Sequence, residues 1–234
     1  MTALGPKRDT YLRDTAESIS EAAKHSPLPV EWFISYSTRD FSAENLSYVE
    51  NLHRVDTKLI SVDGPMNTAT GRNHAIMHAD KKALMVNCDS DDLFTPERFQ
   101  LIDTDCKDVI SLCSVNDYVD GEVIEHGTIR GGIYEHPWWE ESVESNEEGT
   151  PHFKYHLATL AIPRDIALFV GGYPSLDYME DTVFAKIVHD RFRPRLAIYP
   201  DVGYLYRKHP DQLSNRNYDR DKLWKTWVDH KHSN

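Results

Sequence analysis

Three short apolar runs, each flanked by a stretch with helical spacing, constrain this chain more than anything else in it. Residues 30–36 (VEWFISY), 57–62 (TKLISV) and 82–87 (KALMVN) read as strands, and 108–115 (DVISLCSV) as a fourth. Between them, residues 11–23, 41–52, 71–79 and 96–102 carry apolar side chains at helical spacing. Strands that alternate with helices build a mostly parallel, doubly wound sheet, so the fold class is α/β and Rossmann-like, with helices flanking a mixed sheet.

The second half is less regular. A hairpin about Asp120-Gly121 is expected within 118–133, and residues 138–150 read as a mobile loop, because five of these thirteen positions are Glu. Residues 156–163 read as a strand, 179–191 as a helix, 195–206 as one or two strands and 219–230 as a closing helix. We expect one domain over 1–234. Residues 1–117 form a ligand-binding half, 118–216 a second half and 217–234 the last helix.

Composition limits the partners. At 234 residues and 40% hydrophobic content the chain can bury a core without a disulfide or structural metal. A net charge of -12 supplies no basic field for nucleic acid or anionic lipid. A small anionic ligand fits if a metal or a few local bases reverse the field. Cys88, Cys106 and Cys113 lack metal-ligand spacing and read as buried free thiols in a reducing, cytoplasmic setting. No run approaches the ~20 apolar residues of a membrane span, and the start MTALGPKRD has no apolar signal region.

Four clusters can carry chemistry. The third strand runs into Asp89-Ser90-Asp91-Asp92, and ligands of open α/β sheets bind at the carboxyl ends of strands. Two carboxylates about 4 Å apart repel by ~4 kcal/mol at an effective dielectric of 20, so the loop gains from a cation, and oxygen ligands suit Mg or Mn. An aspartate there can equally cap the helix that follows. Gly71-Arg72-Asn73 opens a predicted helix, where backbone N–H groups and a guanidinium favour a phosphate. Gly171-Gly172-Tyr173 precedes Glu180-Asp181, which either supply a general base or complement a helix dipole. Tyr206-Arg207-Lys208-His209 ends a strand with two bases and a metal-binding imidazole, or with a solvated basic turn.

In that order and spacing the clusters resemble the family 2 glycosyltransferases, which have the GT-A fold. The family's helix start, Asp-x-Asp-Asp motif with a following Pro, Gly-Gly-aromatic turn, Glu-Asp pair and Arg-x-His turn with a nearby Ser match Thr70-Gly71-Arg72-Asn73, Asp89-Ser90-Asp91-Asp92 with Pro96, Gly171-Gly172-Tyr173, Glu180-Asp181, and Arg207-Lys208-His209 with Ser214. The resemblance implies an inverting transfer of a sugar from a nucleotide-diphosphate donor to a hydroxyl of a soluble acceptor, assisted by Mn or Mg. It implies Asp181 as base with Glu180 beside it, Asp91 and His209 at the metal, and Thr2, Ala3, Tyr36, Arg72, Asp89 and Ser90 along the donor. Gly172 and Tyr173 fall on the acceptor side. Trp138 and Trp139 are expected as an acceptor platform or lid, because aromatic faces pack on sugar rings, although paired Trp serve equally as core anchors.

The chain departs from the family in two places. The second strand ends in Ser35-Tyr36-Ser37-Thr38 without paired aspartates, the next acid being Asp40, so uracil is not implied and Tyr36 is free to stack on a base. The first strand is reduced to Met1-Thr2-Ala3-Leu4. A Gln-x-x-Arg-Trp motif is absent, which points to single addition. A nucleotidyltransferase of similar fold carries a Gly-rich loop with Arg and Lys after its first strand, of which Gly5-Pro6-Lys7-Arg8 is a poor version. A binding module without catalysis would not need Glu180-Asp181 and His209.

Overall fold

The computed structural model describes residues 1–4, 9–37, 43–52, 54–63, 66–104, 108–126, 129–145, 147, 151–210, 212 and 219–232. Asp40, Cys106, Ser214 and residues 5–8 lie outside them.

The expected alternation is present, except that the helix expected over 96–102 is a 3-10 turn, Arg98–Gln100. In order come β1 (Thr2–Leu4), α1 (Asp9–Ala23), β2 (Glu31–Ser37), α2 (Ala43–Glu50), β3 (Asp56–Val62), α3 (Thr68–His78), β4 (Leu84–Val86) and β5 (Leu93–Phe94). The chain continues through β6 (Val109–Val119), β7 (Glu122–Ile124), β8 (Gly132–Tyr134), α4 (Trp139–Ser142), β9 (Val143–Ser145) and β10 (Pro151–Phe153). It ends with β11 (Ala161–Pro163), α5 (Arg164–Phe169), α6 (Glu180–Arg191), β12 (Arg195–Arg207) and α7 (Arg220–His232).

Strands β1, β2 and β3 are parallel, with Thr2 opposite Ile34 and Ile34 opposite Leu59. A second, mixed sheet runs β4-β11-β6-β12-β5, in which β6 and β12 are parallel and β11 lies antiparallel to both β4 and β6. The Met1 nitrogen donates to Val86 O at 2.7 Å and Cys88 N donates to Met1 O at 3.1 Å. Short as it is, β1 therefore joins the two sheets.

Side chains alternate across this surface, and each face has its own core. Phe33, Ile76, Ile110, Leu112, Ile162 and Phe184 pack on one side, and Leu12, Ile19, Trp32, Ile34, Phe94 and Tyr204 on the other. Phe33 and its neighbours Trp32 and Ile34 thus serve opposite faces, which is why the middle of β2 is buried throughout. Full burial of each such side chain stabilises by about 1.5–3 kcal/mol. Cys88 and Cys113 are buried free thiols, as expected.

The second half departs further from the sequence reading. The hairpin at Asp120-Gly121 forms, with Val119 opposite Glu122. The acidic stretch is not a plain loop, because it contains α4 and the β9 strand, which pairs with β10. The strand expected over 156–163 is a 3-10 turn, Leu157–Thr159, followed by β11. Helix α5 was not expected. The one or two strands expected over 195–206 are a single bulged strand, β12. No described helix is long and apolar enough to cross a membrane.

Candidate active site

Four separate segments meet beyond the carboxyl end of β4. Arg72 from α3, Asp89 and Asp91 after β4, Glu180 and Asp181 at the start of α6, and Arg220 at the start of α7 line one cavity of about 230 Å³. His156, Asp177, Tyr178, Tyr206 and Gln212 complete much of its wall. A larger apolar cavity of about 500 Å³ lies by the amino ends of β2 and β4, among side chains such as Leu28, Val30 and Phe99. The chemistry is concentrated at the smaller one.

Arg72 organises the acidic wall. It is 2% exposed, donates to Asp89 Oδ1 at 2.8 Å and Glu180 Oε1 at 3.2 Å, and lies 5.2 Å from the centroid of the Tyr173 ring. Burial alone would lower its pKa, but Asp89, Tyr173 and Glu180 outweigh that and hold it above the ordinary arginine value. The helix start differs from expectation. Asn67 caps α3 by accepting from Thr70 N at 2.9 Å, so α3 begins three residues before Gly71. Arg72 is therefore bound to carboxylates from inside the helix rather than standing at a bare N-terminus.

The aspartate run divides by position. Asp89 and Asp91 face the cavity, whereas Ser90 and Asp92 are each 1% exposed and point into the fold. Asp91 Oδ2 and His209 Nε2 are 2.8 Å apart, with both side chains 5% exposed. Asp92 instead anchors β12: Tyr204 Oη donates to its Oδ2 at 2.8 Å and Arg207 N to its Oδ1 at 2.8 Å. Burial, then Asp91 and Asp89, push the Asp92 carboxyl above the usual range. Thr15 Oγ1 holds the loop from α1 by donating to the carbonyl of Asp92 at 2.8 Å, with that of Ser90 at 3.1 Å. Arg207 Nε donates to Asp91 O at 2.7 Å.

On the opposite wall, Met179 takes a left-handed backbone conformation (φ 63°) just before Glu180, which turns the start of α6 towards the cavity. Thr182 N and Oγ1 both donate to Asp181 Oδ1, at 2.7 and 3.3 Å. Burial, reinforced by Asp181 and opposed by Arg72, pushes the Glu180 carboxyl up to about 7.

Several expected contacts are corrected by the packing. Trp138 is 0% exposed and donates through Nε1 to Pro194 O at 2.7 Å, while Trp139 is 8% exposed. Both pack around His189 on α6, so they are core anchors and offer no platform to an acceptor. Tyr173 is 2% exposed, stacks on Phe184 and donates to Asn87 Oδ1 at 3.1 Å. Asn73 brackets Tyr173 by donating to its carbonyl and accepting from its N–H, both at 2.8 Å. A Cβ at Gly172, whose φ is 78°, would collide with Asn73. The Gly-Gly-Tyr turn thus docks on α3 and does not reach the cavity. Thr2 is fully buried, donating to Cys88 O and accepting from Trp32 Nε1, both at 2.9 Å. Ala3 lies against Gly71, and Tyr36, next to the last residue of β2, lies outside the cavity wall.

His156, Arg220, Asp177 and Tyr178 were not anticipated. His156 reads in sequence as the first residue of a strand and Arg220 as part of an ordinary helix, and neither belongs to a recurring motif. The only signal was the nearness of Asp177 and Tyr178 to Glu180.

No family model matches this chain, and no curated protein matches it. Solved structures do. TarS of S. aureus in complex with UDP-GlcNAc aligns with a TM-score of 0.65 at 15% identity, over 93% of this chain and 60% of that one. A mannosyltransferase from Pyrobaculum calidifontis in complex with GDP-Man and Mn2+ aligns at 0.61 and 14% identity, over 87% and 55%. The inositol-1-phosphate CTP transferase of T. maritima aligns at 0.52 and 11% identity, over 96% and 94%. This chain spans about 60% of the length of the TarS fragment. Identities this low establish shared architecture, and that architecture is the GT-A fold.

Proposed function

We propose that the chain is an inverting glycosyltransferase that moves a sugar from a nucleotide-diphosphate donor to a hydroxyl of an acceptor, with Mn or Mg at Asp91 and His209. The observation that carries this reading is the convergence of Arg72, Asp89, Asp91, Glu180 and Asp181, from distant parts of the chain, on one cavity. TarS and the mannosyltransferase, which share the fold, bind UDP-GlcNAc and GDP-Man respectively.

The donor set suits such an ion. Asp91 Oδ2 and His209 Nε2 meet at hydrogen-bond distance, 2.8 Å, so a cation held by both would replace that contact. Among the described residues no group of three or more such side chains could hold a metal ion alone. An ion at this pair would keep waters and take its remaining ligands from substrate phosphates, as Mg commonly does. Bound there, it would offset negative charge on the leaving diphosphate. The rest falls to the protein. Asp181 Oδ1 is held by Thr182, which leaves Oδ2 to accept the proton of the acceptor hydroxyl. That hydroxyl oxygen attacks the anomeric carbon from the side opposite the diphosphate. Arg72 keeps Asp89 and Glu180 in place beside it.

Incubation with a panel of nucleotide sugars and Mn tests the reading through release of free nucleoside diphosphate. Release of pyrophosphate from a nucleoside triphosphate would favour a nucleotidyltransferase, a reading kept open by the near-complete mutual coverage with the CTP transferase. No turnover with any donor would leave a binding module.

A further inference from the structure

His156 has no part in the mechanism above, yet it stands in the same wall as Asp89, Asp91 and Asp181. Its place is fixed. Thr159 N and Oγ1 donate to its carbonyl at 3.0 and 2.8 Å, and its ring packs on Tyr206 with centroids 4.7 Å apart. Its other surroundings include a second cavity of about 300 Å³, which it lines with Asn116, Lys154 and Tyr155. His156 is thus a wall residue of two cavities.

Its Nδ1 is buried and has no hydrogen-bond partner. Folded proteins rarely leave a buried polar atom in that state, and the exceptions concentrate where a ligand or water completes the pairing. Burial lowers the pKa of the ring, against the pull of Asp181 and Asp89, so it is held neutral. A neutral imidazole offers one donor and one acceptor, and a hydroxyl group needs that same combination.

On the donor reading, the diphosphate lies at Asp91 and His209, and the acceptor hydroxyl at Asp181. The transferred sugar must span the cavity between them, and His156 lines that span. We propose that His156 hydrogen-bonds the hydroxyls of the transferred sugar and sets which sugar the site accepts, an inference that rests on the glycosyltransferase reading.

Calorimetric titration with UDP, UDP-GlcNAc, GDP and GDP-Man, each with Mn2+, separates the two claims. The His156→Phe variant keeps the ring packing and removes both nitrogens. It should bind the sugar nucleotide about tenfold or more weakly, keep the affinity for the matching bare nucleotide within about twofold, and unfold at or above the wild-type temperature. His156→Gln should recover part of the lost affinity. His156→Leu repeats the comparison should the Phe variant fail to fold. Equal weakening of nucleotide and sugar nucleotide, or weakening of neither, overturns the role of His156 while the donor site stands. Failure of the wild type to bind these four ligands and every other member of the nucleotide-sugar panel removes the glycosyltransferase reading and this inference with it.

Discussion

Residues 89–92 and the Trp138–Trp139 pair are both dense in side chains that can do chemistry, and the fold puts them to opposite uses. The aspartate run leaves the carboxyl end of β4 and sends alternate residues outward, so Asp89 and Asp91 face a cavity while Asp92 is tied inward to Tyr204 and Arg207. The tryptophans enter the core beneath α6, with one indole donor spent on Pro194 O. The difference lies in what burial costs each kind of side chain. A carboxylate buried without partners is so costly that a cluster of them marks an accessible site or a paired one. An indole is as stable in a core as on a binding surface, and sequence alone does not separate the two.

The sharpest way to break this contrast is at Asp181. Asp181→Asn should lower transfer by about 10²–10⁴-fold, as expected for loss of a general base, with the unfolding temperature near that of the wild type. Nucleoside diphosphate release with saturating donor measures it. Turnover within tenfold of wild type would remove Asp181 as the base.

Trp138→Ala should act on stability instead. Truncating a fully buried indole costs about 3–5 kcal/mol, read as a lower urea midpoint, while the folded fraction keeps its donor affinity. A variant that folded normally but needed far more acceptor would return the tryptophans to the acceptor site.

Within the aspartate run, Asp92→Ala should cost about 1–3 kcal/mol, because Tyr204 Oη and Arg207 N lose their acceptor. Asp91→Ala should instead abolish the rise in unfolding temperature produced by added Mn2+, and chelation with EDTA should erase that rise in the wild type. The same Mn2+ response in both variants would place the ion elsewhere.

Much of the first half was legible because a parallel strand buried on both faces reads as an apolar run, and β2, β3 and β4 all lie within their expected stretches or differ by a residue. The cavity was legible only in part. Arg72, Asp89, Asp91, Glu180 and Asp181 carry charge in recognisable order, whereas His156 and Arg220 reach the cavity through the tertiary path of a 3-10 turn and a distant helix. The same limit explains the Gly172-Tyr173 turn. Its spacing before Glu180 suggested substrate contact, but the bonds that settle its role come from Asn73, about a hundred residues away.

The smallest expected effect tests whether the cavity wall behaves as a buried carboxylate site. Glu180 titrates near 7 in the folded protein, above the ordinary 4.5, because burial and Asp181 outweigh Arg72. Between pH 4.5 and 7 the folded state therefore keeps a proton that the unfolded chain has released. Stability contributed by this group falls as pH rises through that window and stays low above it. In metal-free protein the Glu180→Gln variant should lack this slope, gaining roughly 2 kcal/mol on wild type between pH 5 and pH 8 at ~1.4 kcal/mol per pKa unit, the opposing pull of Arg72 being already part of the folded-state value. Urea unfolding at the two pH values supplies the comparison. Parallel pH profiles for variant and wild type would mean that water reaches Glu180 freely, and the contrast between a partly buried acidic wall and a dry aromatic core would then be one of composition alone.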